Sequence, residues 1–548
     1  MKKKETLAFF YKSIQGKKRS IVILLLLQVL LGGSGVLYAW LLRQVIDKAV
    51  AQEESAFFTA IFCFIALVVG QIAVRAFLRF LEEWIRSGLE NHFKERLFQQ
   101  LLCREYHAVK EFHSEEWMTR LTNDTVVVAD GIVTILPGLV GMLTRLLGAT
   151  SFLVVLAPWL FAIFLPLGLF LLLFTFCFRK VLKRLHRQIQ EADGKVRVFL
   201  QEHLSALLVV KSFLAEDFVQ AEAKDWMKAH RKARMKRNHV SNLCNVGFGM
   251  AMHGIYMIGV AGCGYGILKG SISYGTLMAV LQLIGQLQAP LANVTGYFPK
   301  YYAMVSSMER LLEAEQFSID KKEEALSQEQ IREFYEKEFL AVEFQNVSFC
   351  YPKEEKEVLP SVSMKISKGE FVAFAGRSGC GKSTCLKLLL GLYPVLEGQL
   401  YFVGAKKNWG LTGAYRRLFA YVPQGNYLMK GKIRDIVSFG QEYPDNKKIE
   451  YALKLACAEF VFELPNGIET ELLEHGAGLS EGQLQRISIA RAFYMDSPIF
   501  LLDEATSALD EQTQRQLLWN LRNFTDKTVI LVTHRPLAIE ACDRVIQW

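Results

Sequence analysis

Up to about residue 300 the chain runs in long apolar stretches; from Ala341 onward it changes to short apolar runs alternating with helical patterns. The first half predicts helices immersed in hydrocarbon and the second a water-soluble α/β fold. Ile21 to Leu42 is almost uncharged and, as a helix, reaches about 33 Å, enough to cross a bilayer. Comparable runs near Phe57–Phe77, Leu136–Leu156, Trp159–Phe178, Leu243–Leu268 and Gly275–Phe298 bring the expected spans to six, which puts both chain ends on one side. The polar stretch 179–242 has helical periodicity; folded as a hairpin it makes two arms of about 45 Å each, so helices continue beyond the bilayer. Residues 2–19 interleave seven basic residues with Leu7, Phe9, Phe10 and Ile14, the pattern of an amphipathic helix lying on a membrane face.

Charge orients this arrangement. The short connections around 47–55, at Ala157–Pro158 and around 269–274 hold only Lys48 and Lys269 as basic residues, whereas Arg179 to Arg237 holds fifteen. Basic residues collect on the cytoplasmic side, so the long polar segments and both termini are expected there. The same bias explains the net charge of +9 without a nucleic-acid partner. Ten cysteines without paired spacing or His-rich neighbours read as reduced packing residues with no metal site, and no cleavable signal peptide is expected.

The expected division is a transmembrane domain over 1–312, a charged and partly helical linker over 313–340, and an α/β domain over 341–548 on a mainly parallel sheet. The α/β domain carries the chemistry. Glu370–Ala375 is a strand, Gly376-Arg377-Ser378-Gly379-Cys380-Gly381-Lys382-Ser383 a glycine loop, and Thr384–Leu390 a helix. Glycines let successive N–H groups turn inward at a helix N-terminus, forming a cradle for phosphate oxygens. Lys382 can then reach the β- and γ-phosphates, and the Ser383 hydroxyl can ligate Mg²⁺. Downstream, the apolar strand Ile499–Leu502 ends in Asp503 and Glu504; the first suits Mg²⁺ coordination and the second polarisation of an attacking water.

With these residues in view the chain resembles an ABC transporter half, of the exporter type with six membrane helices fused to a nucleotide-binding domain. Its most specific mark, Leu479-Ser480-Glu481-Gly482-Gln483, is similar to the family's LSGGQ signature and doubles as a capping box. The resemblance implies a platform for adenine at Tyr351, contact with Mg²⁺ and the attacking water at Gln424, an acid facing a partner's intracellular loop at Glu474, an interface-crossing loop through Ser507–Asp510, and a γ-phosphate contact at His534. Thr384 follows in the phosphate loop, and Ser480, Gly482 and Gln483 face the ATP of a second subunit. Segments 112–124 and 205–215 resemble those that carry the coupling helices. Glu481 departs from the family's glycine, and the sequence ends at Trp548, before the terminal strand and helices typical of the family.

The resemblance further implies ATP and Mg²⁺ as cofactors, a homodimer or heterodimer of half-transporters in a bilayer, no nucleic-acid partner, and a multi-pass protein of the bacterial inner membrane. Efflux of a lipid, drug or peptide is the expected function; import of a metal chelate or siderophore on the same fold, or a regulatory half of a heterodimer, are the alternatives. Polar residues in spans face a cavity or another helix. Gln282, Gln286, Asn293 and Tyr297 share one face of the sixth span, and Arg145 lies in the third. These are the candidate cavity residues, with interhelical hydrogen bonding as the other reading.

Overall fold

A computed structural model of the protein describes residues 15–112, 114–320, 326–352, 356–377, 379–425, 427–473 and 478–548; at 15, 164, 165, 167–180, 182, 183, 289, 291–293 and 295 only the backbone is described. Most of the segment 2–19, Ser378, Glu474 and the side chain of Asn293 lie outside that description. The chain forms two compact units, one of Met1–Gln99 with Glu115–Gln316, the other of Gln100–Ser114 with Phe317–Trp548.

Among the described residues ten helices occupy the chain to Gln316, interrupted by two single-turn segments: α1 Lys18–Val50, α2 Glu54–Cys103, α3 Tyr106–Lys110, α4 Ser114–Thr119, α5 Thr125–Leu156, α6 Pro158–Ser205, α7 Leu207–Ser212, α8 Glu216–Leu268, α9 Tyr274–Asn293 and α10 Tyr297–Gln316. A π-helical turn, Arg120–Asp124, joins α4 to α5. Among the described residues α1, α2, the run Ser114–Leu156 and α8 are long and apolar enough to cross a membrane. The other two expected spans are α6 and α9, both helical. With 50 and 53 residues, α2 and α8 extend to about 75 and 80 Å, well beyond a bilayer.

Polar side chains inside this unit are matched across helices, as a low-dielectric surround demands. The Gln71 amide donates to the Ser34 carbonyl at 3.2 Å and hydroxyl at 3.0 Å, joining α2 to α1. Where α1 ends, Asp47 accepts from the Gly275 N–H and the Ser273 hydroxyl, each at 2.9 Å, and from Arg43; Ser273 in turn caps α9 by accepting from the Thr276 N–H. At the π turn Asp124, 3% exposed, accepts from Ser307 and twice from Arg310 of α10, while Arg120, 2% exposed, pairs with Glu116 and Glu313.

The two segments likened to coupling helices differ in form. Of the two, 205–215 does hold a short helix, α7, between the long arms α6 and α8. The region 112–124 does not form a separate cross-piece: its α4 and π turn run on into α5. A separate short helix, α3, lies just before it. The reason is backbone pairing: the Glu105 N–H donates to the Ser318 carbonyl at 3.1 Å and the Asp320 N–H to the Cys103 carbonyl at 3.0 Å, breaking the helix after Cys103.

The second unit holds two main sheets. β1 Phe339–Phe349, β2 Leu359–Ser367, β4 Glu397–Gly404 and β5 Trp409–Gly410 form an antiparallel sheet in the order β2-β1-β4-β5. β3 Phe371–Ala375, β6 Phe419–Val422, β7 Ile499–Asp503, β8 Thr528–Val532 and β9 Arg544–Gln547 form a parallel sheet in the order β9-β3-β8-β7-β6. Strands β3, β6, β7 up to Leu502 and β8 are apolar because both faces are covered, whereas the edge strand β9 carries Arg544 and Gln547 and is largely exposed. Phe371, Phe500, Leu502, Val529 and Leu531 face helices α13 Asn446–Leu455, α14 Glu481–Met495 and α15 Glu511–Arg522. Val372, Phe374, Leu501, Ile530 and Val532 face the other way, onto α12 Lys382–Leu389 and the antiparallel sheet. The helix Gln328–Lys337 is held in that second layer by Ile331, Phe334 and Tyr335, and its capping box Ser327/Gln330 is complete. Each such buried side chain contributes about 1.5–3 kcal/mol. This sheet brings the C-terminal ends of β3, β7 and β8 to one edge, where the polar residues collect.

Candidate nucleotide site

β3 ends in Ala375 and the chain enters the glycine loop. Gly379 and Gly381 have φ of 83° and 98°, a region that side-chain-bearing residues avoid. At Gly381 a Cβ would also stand 2.4 Å from Leu359, so glycine is required there twice over. The loop then opens α12, whose first N–H groups are free for an anion. Lys382 is 7% exposed, and its ammonium donates to the carbonyls of Gly376 at 2.9 Å and Arg377 at 2.8 Å. The Ser383 hydroxyl donates to Asp503 Oδ1 at 2.7 Å, and the Tyr421 hydroxyl to Oδ2 at 3.5 Å. Burial pushes the Asp503 carboxyl above its usual range; the adjacent Glu504 adds to this, while the Ser383 bond, Lys387 and Tyr421 oppose it. Burial likewise pushes the Tyr421 hydroxyl well above its ordinary value, so it stays a donor.

Glu504 follows β7 in a left-handed conformation, φ 50°, held by its N–H donating to the Val532 carbonyl at 3.0 Å. A non-glycine residue there is strained by about 1–3 kcal/mol, and such strain gathers at functional sites. Its carboxylate accepts from the Gln424 amide at 2.9 Å, and His534 Nδ1 lies 3.9 Å away. Ser383, Gln424, Asp503, Glu504 and His534, drawn from more than 150 residues of sequence, thus form one cluster. Tyr351 belongs to it from the side: its hydroxyl lies 2.9 Å from the Thr384 hydroxyl, and Lys387 Nζ is 5.9 Å from its ring centre. Arg377 and Cys380 sit in the loop itself, exposed and half-buried.

The signature stretch is a helix start. Ser480 accepts from the Gln483 N–H at 3.3 Å and the Gln483 side chain accepts from the Ser480 N–H at 2.8 Å, a complete capping box on α14. Gly482 packs on the loop 507–510: a Cβ there would stand 2.7 Å from the Ala508 carbonyl oxygen. Glu481 is exposed on the first turn, where the helix dipole favours an acid. Asp510 caps α15, accepting from the Thr513 N–H at 2.9 Å and hydroxyl at 2.7 Å.

Three contributors escape sequence reasoning. The buried Gln485 donates to the Glu504 carbonyl at 3.0 Å and accepts from the Ala508 N–H at 3.0 Å. Arg535 donates to the carbonyls of Ser507 at 2.8 Å and Leu509 at 2.6 Å and to the Gln514 side chain at 2.8 Å. Tyr421 reaches Asp503 from the neighbouring strand. Their only sequence signal is adjacency to recognised stretches, three of them being within a few residues of Gln483, His534 and Gln424.

In the membrane unit the candidate cavity residues separate. The Gln286 amide donates to the Gly35 carbonyl of α1 at 2.8 Å, an interhelical hydrogen bond. Gln282 is half-buried on α9, and Tyr297 opens α10 against Gly138. Arg145 is exposed on α5, with no hydrogen bond or ion pair among the described residues.

A phosphate cradle, a buried aspartate and a strained glutamate on a parallel sheet, joined in one chain to a helical membrane unit, define an ATPase coupled to a membrane process. The family model for the ABC transporter transmembrane region matches residues 21–291, and that for the ABC transporter matches residues 359–507. YfiB of Bacillus subtilis (strain 168), named as an ABC transporter ATP-binding protein, is 30% identical over 491 residues, 87% of this chain and 82% of its own. YgaD of the same organism, provisionally named a multidrug export ATP-binding/permease protein, is 27% identical over 98% of this chain and 93% of its own. The solved structure of a bacterial Atm1-family ABC exporter with ATP bound shares the fold, with a TM-score of 0.79 at 23% identity, covering 97% of this chain and 94% of that one. The chain belongs to the ABC transporter family, and its activity is ATP hydrolysis coupled to efflux across a membrane.

Proposed function

We propose that the chain is one half of a dimeric exporter in which the cluster around Ser383, Asp503 and Glu504 binds and hydrolyses ATP. The functional boundaries proposed are a transmembrane domain to residue 312, a linker to 340 and an ATP-binding cassette to 548. The observation that carries the catalytic reading is the bonded set Ser383–Asp503 beside Gln424–Glu504. Ser383, Asp503 and Gln424 offer only hard oxygen donors in small number, which suits Mg²⁺, a cation that retains waters and takes phosphate oxygens. Bound there, Mg²⁺ would supply charge neutralisation at the phosphates. The loop N–H groups of Gly376–Thr384 and the Lys382 ammonium hold the triphosphate, Lys382 exchanging the Gly376 and Arg377 carbonyls for phosphate oxygens. Tyr351 stacks on the base. Glu504 orients and polarises the attacking water, steadied by Gln424, and His534 contacts the γ-phosphate.

Ser480, Gly482, Gln483 and Asp510 serve the ATP bound by a second subunit. This is supported by the start of α14, where Ser480 and Glu481 are exposed and the capping box engages the N–H groups of Ser480 and Gln483 but not those of Glu481 and Gly482. The protein is placed in a bacterial inner membrane with both termini cytoplasmic, on the charge asymmetry of its connections. The transported compound is an amphipathic molecule with an anionic group. The support is Arg145: a guanidinium within a span costs about 2.5–3.5 kcal/mol on insertion scales and persists where a cavity hydrates or pairs it.

The test is Glu504→Gln in lipid. ATP binding is expected to stay within about twofold while phosphate release and efflux fall at least about a hundredfold, within the usual range for loss of a general base. Wild-type phosphate release by this variant would refute the assignment.

A further inference from the structure

Tyr393 lies outside every motif named above, yet it is the centre of an aromatic cluster in the second unit. It is 9% exposed. Its ring meets Tyr351 edge-on at 5.3 Å and 89°, Phe349 at 5.6 Å and 72°, Tyr106 at 5.8 Å and 83°, and His107 at 6.4 Å. Tyr106 and His107 belong to α3, the short helix that follows the membrane-crossing α2; Tyr351 is the proposed platform for the base.

The frame around this stack is closed on both sides. On the nucleotide side, the Tyr351 hydroxyl is tied to Thr384, one residue past Ser383 in the buried start of α12. On the other side, 103–105 pair with 318–320 through backbone hydrogen bonds. Asp320 then receives the Arg416 guanidinium, which also donates to the carbonyls of Leu390 at 3.0 Å and Gly391 at 3.1 Å. Those carbonyls begin the turn that carries Tyr393. The segments that carry Tyr106, Tyr393 and Tyr351 are therefore held by contacts independent of the stack, while the rings orient against one another.

We propose that Tyr393 is a positioning residue that couples stacking of the nucleotide base on Tyr351 to the segment 104–112, so that α3 responds to the base and not only to the phosphates. Edge-to-face contacts depend on ring orientation. A base settling on one face of Tyr351 fixes that ring, the edge contact fixes Tyr393, and Tyr393 holds Tyr106. This route is separate from the phosphate cradle. It rests on the reading of Tyr351 as the base platform, and the experiment separates the two.

The probes are Mg·ATP and Mg·tripolyphosphate, which share the phosphates and differ in the base, applied to the full-length protein in lipid nanodiscs. In the wild type, amide exchange over 104–112 is expected to slow with ATP and not with tripolyphosphate. Tyr106→Leu, at a ring 40% exposed, and Tyr393→Leu are expected to weaken ATP binding about 3–10-fold, leaving tripolyphosphate within about twofold, with KM for ATP rising and kcat held within about twofold. Tyr393→Phe keeps the ring and is expected to restore wild-type values. The coupling is refuted if ATP and tripolyphosphate slow exchange alike, or if Tyr106→Leu leaves ATP affinity unchanged while Tyr351→Leu weakens it. If Tyr351→Leu itself leaves ATP affinity unchanged, the platform reading fails instead, and the coupling with it. Should Tyr393→Leu not fold, Tyr106→Leu alone decides.

Discussion

Replacing Asp124 by Ala removes the acceptor on which the joint between α5 and α10 converges. Its carboxylate takes three hydrogen bonds, from the Ser307 hydroxyl at 2.8 Å, Arg310 Nε at 2.7 Å and a terminal Arg310 nitrogen at 2.5 Å. Breaking a buried ion pair by removing one partner costs about 3–5 kcal/mol, because the other charge is stranded. Here that figure needs discounting: the Arg310 side chain is 44% exposed and regains water. Ser307 is 3% exposed; its oxygen keeps the bond it accepts from Arg310 at 3.1 Å, but its O–H loses its acceptor at a cost of about 1–3 kcal/mol. The expected loss for Asp124→Ala is therefore about 2–4 kcal/mol. Asp124→Asn, which keeps an oxygen for Ser307, should lose about half as much.

The measurement is equilibrium unfolding of the purified protein in detergent, with Arg310→Ala and the double variant closing a thermodynamic cycle. A coupling between Asp124 and Arg310 of at least about 1 kcal/mol is expected, since the two make direct contact. An Asp124→Ala protein within about 0.5 kcal/mol of wild type, the range of an ordinary surface change, would refute the reasoning. It would mean that the pair is hydrated and that the π turn is held by Arg120 alone.

Arg145→Gln is expected to leave basal ATP hydrolysis within about twofold of wild type, the hydrolytic cluster being untouched, while abolishing its stimulation by an anionic amphiphile. Unchanged stimulation by every anionic amphiphile assayed would remove the cavity role. Asp47→Ala strips three donors of their acceptor at the meeting of α1 and α9 and should lower stability by about 1–2 kcal/mol, read from the same unfolding measurement; no change would show that Ser273 caps α9 unaided.

The residues of the proposed hydrolytic cluster come together as placed because each lies at or near a strand end whose local sequence dictates its geometry. A buried strand, glycines at positive φ and a helix start leave little choice for Gly376–Ser383, and an apolar strand that stops at two acids must present them at the sheet edge. The six long helices are legible because each carries an apolar run long enough to cross hydrocarbon, although α2 and α8 run on well beyond it. What escapes is whatever depends on distant partners. The break after Cys103 contains no glycine or proline; it is imposed by pairing with Ser318 and Asp320, more than 200 residues on, and so a separate short helix falls at Tyr106–Lys110, ahead of 112–124. Gln286 reads equally as a cavity or a packing residue until Gly35 is seen to offer its carbonyl at close range. Gln485, Arg535 and Tyr393 are ordinary helix and turn residues by sequence, and their partners come from elements folded against them.

Those unread residues bear on how two sites in a dimer would act on one another. Within one chain, Gln485 of the signature helix holds both the carbonyl of Glu504 and the N–H of Ala508, and Arg535, the neighbour of His534, holds the carbonyls of Ser507 and Leu509. The loop 507–510 is thus bonded from two directions to residues flanking the chain's own hydrolytic acid and histidine. In the proposed dimer that loop and the start of α14 serve the other subunit's ATP. On that proposal, a shift of Glu504 or His534 on release of phosphate at one site would reach the elements that complete the other through one or two hydrogen bonds. Nothing comparable joins the loop to the phosphate cradle of its own chain among the described contacts. In the proposed dimer such wiring would favour sites that fire in turn over sites that fire together, each proposed hydrolytic centre being bonded to the half-site it lends and not, among the described contacts, to the half-site it keeps.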